Sequence, residues 1–330
     1  MTTPAHVPLV VTTRGGLVEC VHYGSIAVVD TKGKLVAGIG DPTALHFTRS
    51  ALKPLQALPF VEAGGMSRFN FTSQELALMC ASHGGERMHV TIAARILERI
   101  GAREADLQCG CHVPSYFTAT GTTPPAGVRW NQLSHNCSGK HGGFLAYCRM
   151  FGHSFKNYLD PDGPLQTRIR NVVQGFAGSD PIGTGIDGCS APNFAMPLTR
   201  LAQAFSRLAA GETPELAALA FAMRRHPDLV SGTARTDLAL MQAGDGDWVS
   251  KIGADGVQAL GVKSRGFGIT VRIADGNKRA LQVATVNVLQ QLGLLNGKST
   301  LAGHLEPALR NFRGTTVGAV RAVFALPPHR

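Results

Sequence analysis

The chain has 330 residues, 44% of them apolar and 6% aromatic, with 32 Lys and Arg against 22 Asp and Glu for a formal net charge of +10. That length supports a large core and an enzyme-sized cleft without staples. The basic residues are scattered with few aromatics between them, so a nucleic-acid partner is not expected, and attraction of an anionic or zwitterionic small molecule is the simpler use of the charge.

The first twenty residues lack the pattern of a signal peptide, and no run of eighteen apolar residues occurs, so neither export nor a membrane partner is expected. Seven cysteines, an odd number between positions 20 and 189, suit reduced thiols or metal ligands better than a disulfide framework. A cytoplasmic protein is the expectation.

In chain order, "SIAVVD" (25–30) and "KLVAGIG" (34–40) read as two strands joined by a short Gly-containing turn. Thr72 and Glu75 form a TxxE capping box ahead of Leu76, Leu78 and Met79. "TIAARILERIG" (91–101) sets Ile92, Ile96, Leu97 and Ile100 on one stripe and stops at Gly101. "LTRLAQAFSRLAAG" (198–211) and "PELAALAFAMRR" (214–225) are two further helices. "GITVRIAD" (268–275) alternates as a strand, "RALQVATVNVLQQL" (279–292) reads as strand passing into helix, and "TVGAVRAVF" (316–324) closes as a strand. Strands at both ends with helices between predict an α/β chain: one antiparallel sheet closed by the two termini, covered by helices, as a single domain over 1–330.

Four segments could carry chemistry. In "FTRSALKPLQ", Ser50 and Lys53 are three apart and share a helix face, and Pro54 is tolerated only in a first turn, which places both at a helix N-terminus. A neutral lysine beside a serine can take its proton, but an SxxK alone is equally an ordinary cap with a solvated lysine. In "CASHGGE", Ser82 ends a helix, with His83 next to it, and Gly84 and Gly85 either let backbone approach a ligand or simply form a cap. "HNCSGKHGG" and "GTGIDGCSAP" bring Cys137, Lys140, His141, Asp187 and Cys189, of which the cysteines are soft zinc donors or merely buried thiols. Cys109, Cys111 and His112 are a weaker ligand cluster. In "LGVKSRGFGITV", Lys263 opens a strand, as a solvated turn residue or as a second lysine of the site.

Taken in order, "RSALKPLQ", "CASHGGE", "HNCSGKH", "GIDGC", "RRHPDLVSGTARTD" and "GVKS" leading into "GFGITVRIADG" make the chain resemble the asparaginase II family of the Rhizobium type, or class 3, over nearly its whole length. The resemblance implies a serine β-lactamase/glutaminase-like fold and hydrolysis of L-asparagine to L-aspartate and ammonia. It implies the catalytic pairs Ser50 with Lys53 and Ser82 with Lys263, a zinc held by Cys137, Lys140 and Cys189 with Asp187 beside it, and a homodimer. Arg49, His83, Gly84, His141 and Asp187 are expected around the substrate. Two departures stand out: the SDN and KTG elements of β-lactamases are not found, and Arg265 and Phe267 occupy positions where smaller or acidic residues are common. A serine glutaminase with a longer pocket, a β-lactamase-like hydrolase and a non-catalytic amino acid or metal-binding protein are the alternatives, separable by ammonia release and nitrocefin turnover.

Overall fold

The structure, a computed structural model, describes residues 3–295 and 300–327. Its main sheet is antiparallel throughout. The strands are β1 (Val7–Arg14), β2 (Leu17–Val29), β3 (Leu35–Ile39), β7 (Trp248–Gly253), β8 (Val257–Val262), β9 (Phe267–Ile273), β10 (Ala308–Arg310) and β11 (Thr316–Ala322). Across the sheet the order is β10, β11, β1, β2, β9, β8, β7. Strand β2 is long enough to serve two partners on one edge: its first half pairs with β1, and Ile26 to Val29 pair with β3. The expected closure by both chain ends is found, with Val10 opposite Ala322 and Val11 opposite Arg321. A smaller sheet joins β4 (Leu45–Phe47), β6 (Pro192–Pro197) and β5 (Gly183–Ile186) in that order.

Helices cover both faces. On one, helix Leu198–Ala210 lies so close to the sheet that a Cβ on Gly268 would stand 1.7 Å from the Ala202 carbonyl oxygen, and one on Gly261 would stand 2.1 Å from that of Phe205. Only glycine permits this approach. On the other, helix Lys278–Gln291 buries Leu281, Val283, Val286 and Val288 against Val28, Ile269 and Val271. Here the expectation of a strand passing into a helix is corrected. Asn277 caps the segment, its Oδ1 accepting from Ala280 N at 3.1 Å, and burial on nearly every side overrides the β-branched run.

The middle of the chain builds a second core from helices Lys53–Glu62, Ser73–Met79, Arg87–Arg99, Ser138–Phe151 and Pro164–Ala177, centred on Phe60, Leu76, Ile96, Phe144 and Ile169. The predicted capping box is present: Glu75 Oε2 accepts from Thr72 N at 2.9 Å and Thr72 Oγ1 from Gln74 N at 3.3 Å. Among the described residues no helix is long and apolar enough to cross a membrane.

Candidate active site

The site forms where the free edge of β7 meets the turn leading into helix Lys53–Glu62. The small sheet sets that turn: Thr48 N donates to Phe194 O at 3.0 Å, and Arg49 N donates to Asn193 Oδ1 at 3.1 Å. Arg49 has a φ of +49°, a left-handed conformation uncommon for a residue with a side chain and typical of constrained sites. Its guanidinium holds it there. Nε and Nη2 reach Asp187 Oδ1 at 3.0 and 2.8 Å, and Nη1 reaches Asp255. Arg49 and Asp187, both expected around a substrate, therefore bind each other. Gly253 closes the junction, since a Cβ there would stand 2.6 Å from the Thr48 carbonyl oxygen.

Ser50 follows on a 3-10 turn, Arg49–Leu52, partly exposed and with no hydrogen bond to its Oγ among the described residues. Lys53 begins the helix fully buried, with Pro54 in the first turn as predicted. Its Nζ reaches the segment after helix Ser73–Met79, donating to Ala81 O at 2.6 Å, Ser82 Oγ at 2.9 Å and Asn136 O at 3.4 Å, with no hydrogen bond to Ser50. The expected pairs are thus rearranged: the serine bonded to Lys53 is Ser82.

Lys263 takes no part. It lies on the exposed turn between β8 and β9, where its N–H donates to Asp247 O at 3.2 Å. The hairpin register explains this, because Lys251 is paired with Ala259 and Lys263 lies four residues farther on, about 13 Å along the strand. Arg265 and Phe267 flank that same turn, with the Arg265 guanidinium over the Phe267 ring, so they are removed from the site.

The lysine that faces Lys53 is Lys251, fully buried on β7. Its Nζ donates to Ile252 O at 2.8 Å and lies 3.5 Å from Asp237 Oδ2. Asp237, also buried, accepts from Ser250 Oγ at 2.8 Å, Ile252 N at 2.9 Å and Gln258 Nε2 at 3.0 Å. Burial, with Lys53 and Arg235 nearby, outweighs Asp237 and brings Lys251 down to about 8, so its neutral form is accessible near neutral pH. The segment Lys251-Ile252-Gly253 ends β7 at the edge of the main sheet, and no KTG element occurs in the chain, as expected. A lysine inside the apolar run "WVSKIG" was the available signal.

His83 and Gly84 are buried supports. His83 Nδ1 accepts from Gly85 N at 3.1 Å, so the ring proton is assigned to Nε2, which donates to Ser138 Oγ at 2.9 Å. Burial, with His89 stacked at 4.8 Å, holds His83 well below its usual range and neutral. Gly84 O accepts from Tyr116 N.

The proposed zinc ligands come together. Lys140 Nζ lies 3.0 Å from Cys189 Sγ, and Cys137 bonds the same sulfur. The Cys137 hydrogen bond, then Lys140, push Cys189 far down against burial, while Cys137 is pushed up. Burial opposes the charge on Lys140, but the two sulfurs raise it overall. Beside them His141 Nδ1 bonds Tyr158 Oη at 2.7 Å, and burial brings it down to about 4 although the Cys189 sulfur acts to raise it. Among the described residues no three of His, Cys, Asp and Glu are placed to hold a metal, so the donor set fits zinc only with the Lys140 amine as third ligand. Two soft sulfurs suit zinc, and the Lys140 amine would join them as a ligand only by giving up its proton to the metal. Cys109 turns to Gln132, Cys111 is exposed, and His112 Nε2 accepts from Asn136 N, so that cluster does not assemble.

A cavity of about 290 Å³ opens beside Arg49, lined by Asn193, Asp255, Arg272 and Phe47. It offers a substrate polar groups of both signs.

The family model of L-asparaginase II matches residues 10–322. Among solved structures, the chain is similar to an octameric penicillin-binding protein homologue from Pyrococcus abyssi, at 11% identity over 84% of this chain and 74% of that one, with a TM-score of 0.44. It is also similar to a β-lactamase from Mycobacterium bovis, at 13% identity over 81% and 94%, with a TM-score of 0.35. No curated protein matches it.

Proposed function

Because the chain belongs to the L-asparaginase II family and is a hydrolase of the asparaginase type acting on a small molecule, we propose that it cleaves the side-chain amide of L-asparagine by serine chemistry. The observation that carries this reading is the buried Lys53 amine, one helical turn after Ser50 and 2.9 Å from Ser82 Oγ.

Ser50 is the nucleophile, since it is partly exposed where Ser82 is 5% exposed. Its Oγ forms the new C–O bond as the C–N bond of the amide breaks. The hydroxyl proton passes to Lys53 Nζ, and Ser82, bonded to that amine, hands a proton to the departing nitrogen so that ammonia leaves. Water then hydrolyses the ester and releases L-aspartate. Lys251, set at about 8, supplies the second amine near the relay, and Asp237 fixes it in place. Resting hydrogen bonds of such sites are often looser than those of the reacting complex, so the open Oγ of Ser50 is compatible with its role.

Cys137, Lys140 and Cys189 would hold zinc, whose chemistry there is to orient the amino acid head of the substrate by charge and an open coordination position. Seven free thiols support a reducing, cytoplasmic setting. Exposed Leu17, Val18, Val21 and Tyr23 on β2 support a homodimer.

Ammonia release from asparagine, glutamine and small β-aspartyl amides tests the reading. Turnover of asparagine well above glutamine is expected; no ammonia from any of them defeats it.

A further inference from the structure

A second cavity, about 250 Å³, lies on the other flank of the β7 edge, lined by Ser115, Thr118, Ser231, Arg235, Ile252 and Lys278 among others. No acidic side chain lines it. Two residues that line it each carry a polar atom buried without a partner: Ser231 Oγ, on a residue 1% exposed, and Arg235 Nε. The rest of the Arg235 guanidinium is engaged, Nη1 donating to Ser115 Oγ at 2.8 Å and Nη2 to Ser82 O at 2.9 Å. Among the described residues no carboxylate reaches ion-pair distance of it; Asp237 and Glu86 act only from farther away. Arginine does not deprotonate in proteins. A largely buried cation with no counterion, beside an orphaned hydroxyl, is costly unless an anion completes it.

We infer that this cavity is a binding site for a short aliphatic carboxylate, with one oxygen accepting from Arg235 Nε and the other from Ser231 Oγ. Two free donors beside a single buried cation suit the two oxygens and single charge of a carboxylate. Lys278, exposed on the first turn of helix Lys278–Gln291, adds attraction at the rim. The volume beyond the donors, bounded by Ile252 and Ala119, accepts a short carbon chain. Because one guanidinium holds both the anion and the Ser82 carbonyl, occupancy is transmitted to the Ser82 backbone. The assignment does not depend on the amide that the enzyme cleaves.

Calorimetric titration of the whole protein with succinate, and separately with inorganic phosphate, at low ionic strength tests it. One succinate per chain is expected. Ser231→Ala should weaken it about tenfold, the effect of losing one hydrogen bond to a charged group. Lys278→Ala, a surface change that spares folding, should weaken it by a smaller factor, and Arg49→Lys, in the other cavity, should leave it unchanged. No succinate binding to the wild-type protein overturns the site. So does binding that is lost in Arg49→Lys but intact in Ser231→Ala. Tighter, Ser231-dependent binding of phosphate overturns the carboxylate assignment.

Discussion

Lys53 Nζ lies 2.9 Å from Ser82 Oγ and makes no hydrogen bond to Ser50, its neighbour one helical turn earlier. A single amine thus links two serines that are 32 residues apart in the chain, one by helix geometry and one by a hydrogen bond. Ser50→Ala should lower kcat for asparagine by at least about a thousandfold with the melting temperature nearly unchanged. Ser82→Ala should be severely impaired, and the double variant no worse than the poorer single one. Near wild-type turnover in folded Ser50→Ala would transfer the nucleophile's role to Ser82.

Lys251 and Lys263 make opposite predictions. Lys251→Met should cost about a hundredfold or more in kcat/KM, the scale of a lost acid or base. Lys263→Ala, on an exposed turn, should stay within about twofold. Steady-state kinetics on the two purified proteins checks both, and the reverse ranking would return Lys263 to the site.

The depressed value of Lys251 sets a pH limb. A base works in its neutral form, so kcat/KM should fall about tenfold for each pH unit below about 8 and level off above it. The sign follows from burial and neighbouring cations disfavouring the ammonium. A profile flat between pH 6 and 9, measured with a substrate that does not itself titrate there, would remove Lys251 from proton transfer.

Zinc should bind stoichiometrically at mildly alkaline pH and weaken as pH falls, since protons compete for sulfur and amine. Elemental analysis after dialysis checks this, and replacing both Cys137 and Cys189 with Ser should abolish it. Removing the metal should raise KM more than it lowers kcat, as expected for an interaction shared by ground and transition states. Loss of turnover at saturating asparagine would instead make the metal part of the chemical step.

Gly253→Ala tests the junction of strand and turn. The added methyl meets the Thr48 carbonyl at 2.6 Å, so stability should drop by about 1–3 kcal/mol. Activity should drop further, because relief of the clash moves Ser50.

Much of the architecture was legible. The β2–β3 hairpin, the closure by both ends, the helix stripes and the first-turn Pro54 follow from local periodicity and turn chemistry, which neighbouring residues decide. The site was legible only in its parts. Ser50, Lys53, Ser82 and the cysteine cluster stand out in short motifs, whereas Lys251 shows in the sequence only as a lysine inside an apolar strand, and its buried partner Asp237 appears only in the fold. The error at Lys263 has the same origin: a lysine before a glycine-rich strand looks special until hairpin register sends it to the far end. Arg235 and Ser231 carry no motif, and only the cavity they share distinguishes them.

The pairing of β1 with β11 has a consequence for the time course of folding. Thr13 Oγ1 accepts from Ala319 N at 3.1 Å across 306 residues, so the central sheet cannot be completed on the ribosome until almost the entire message has been read. Until then the outer edge of β1 offers unpaired backbone to any passing strand. Assembly is therefore postponed and, with so many distant contacts, slow. In the cell, chaperone demand and aggregation losses for this protein should therefore fall in the interval between synthesis of β1 and synthesis of β11.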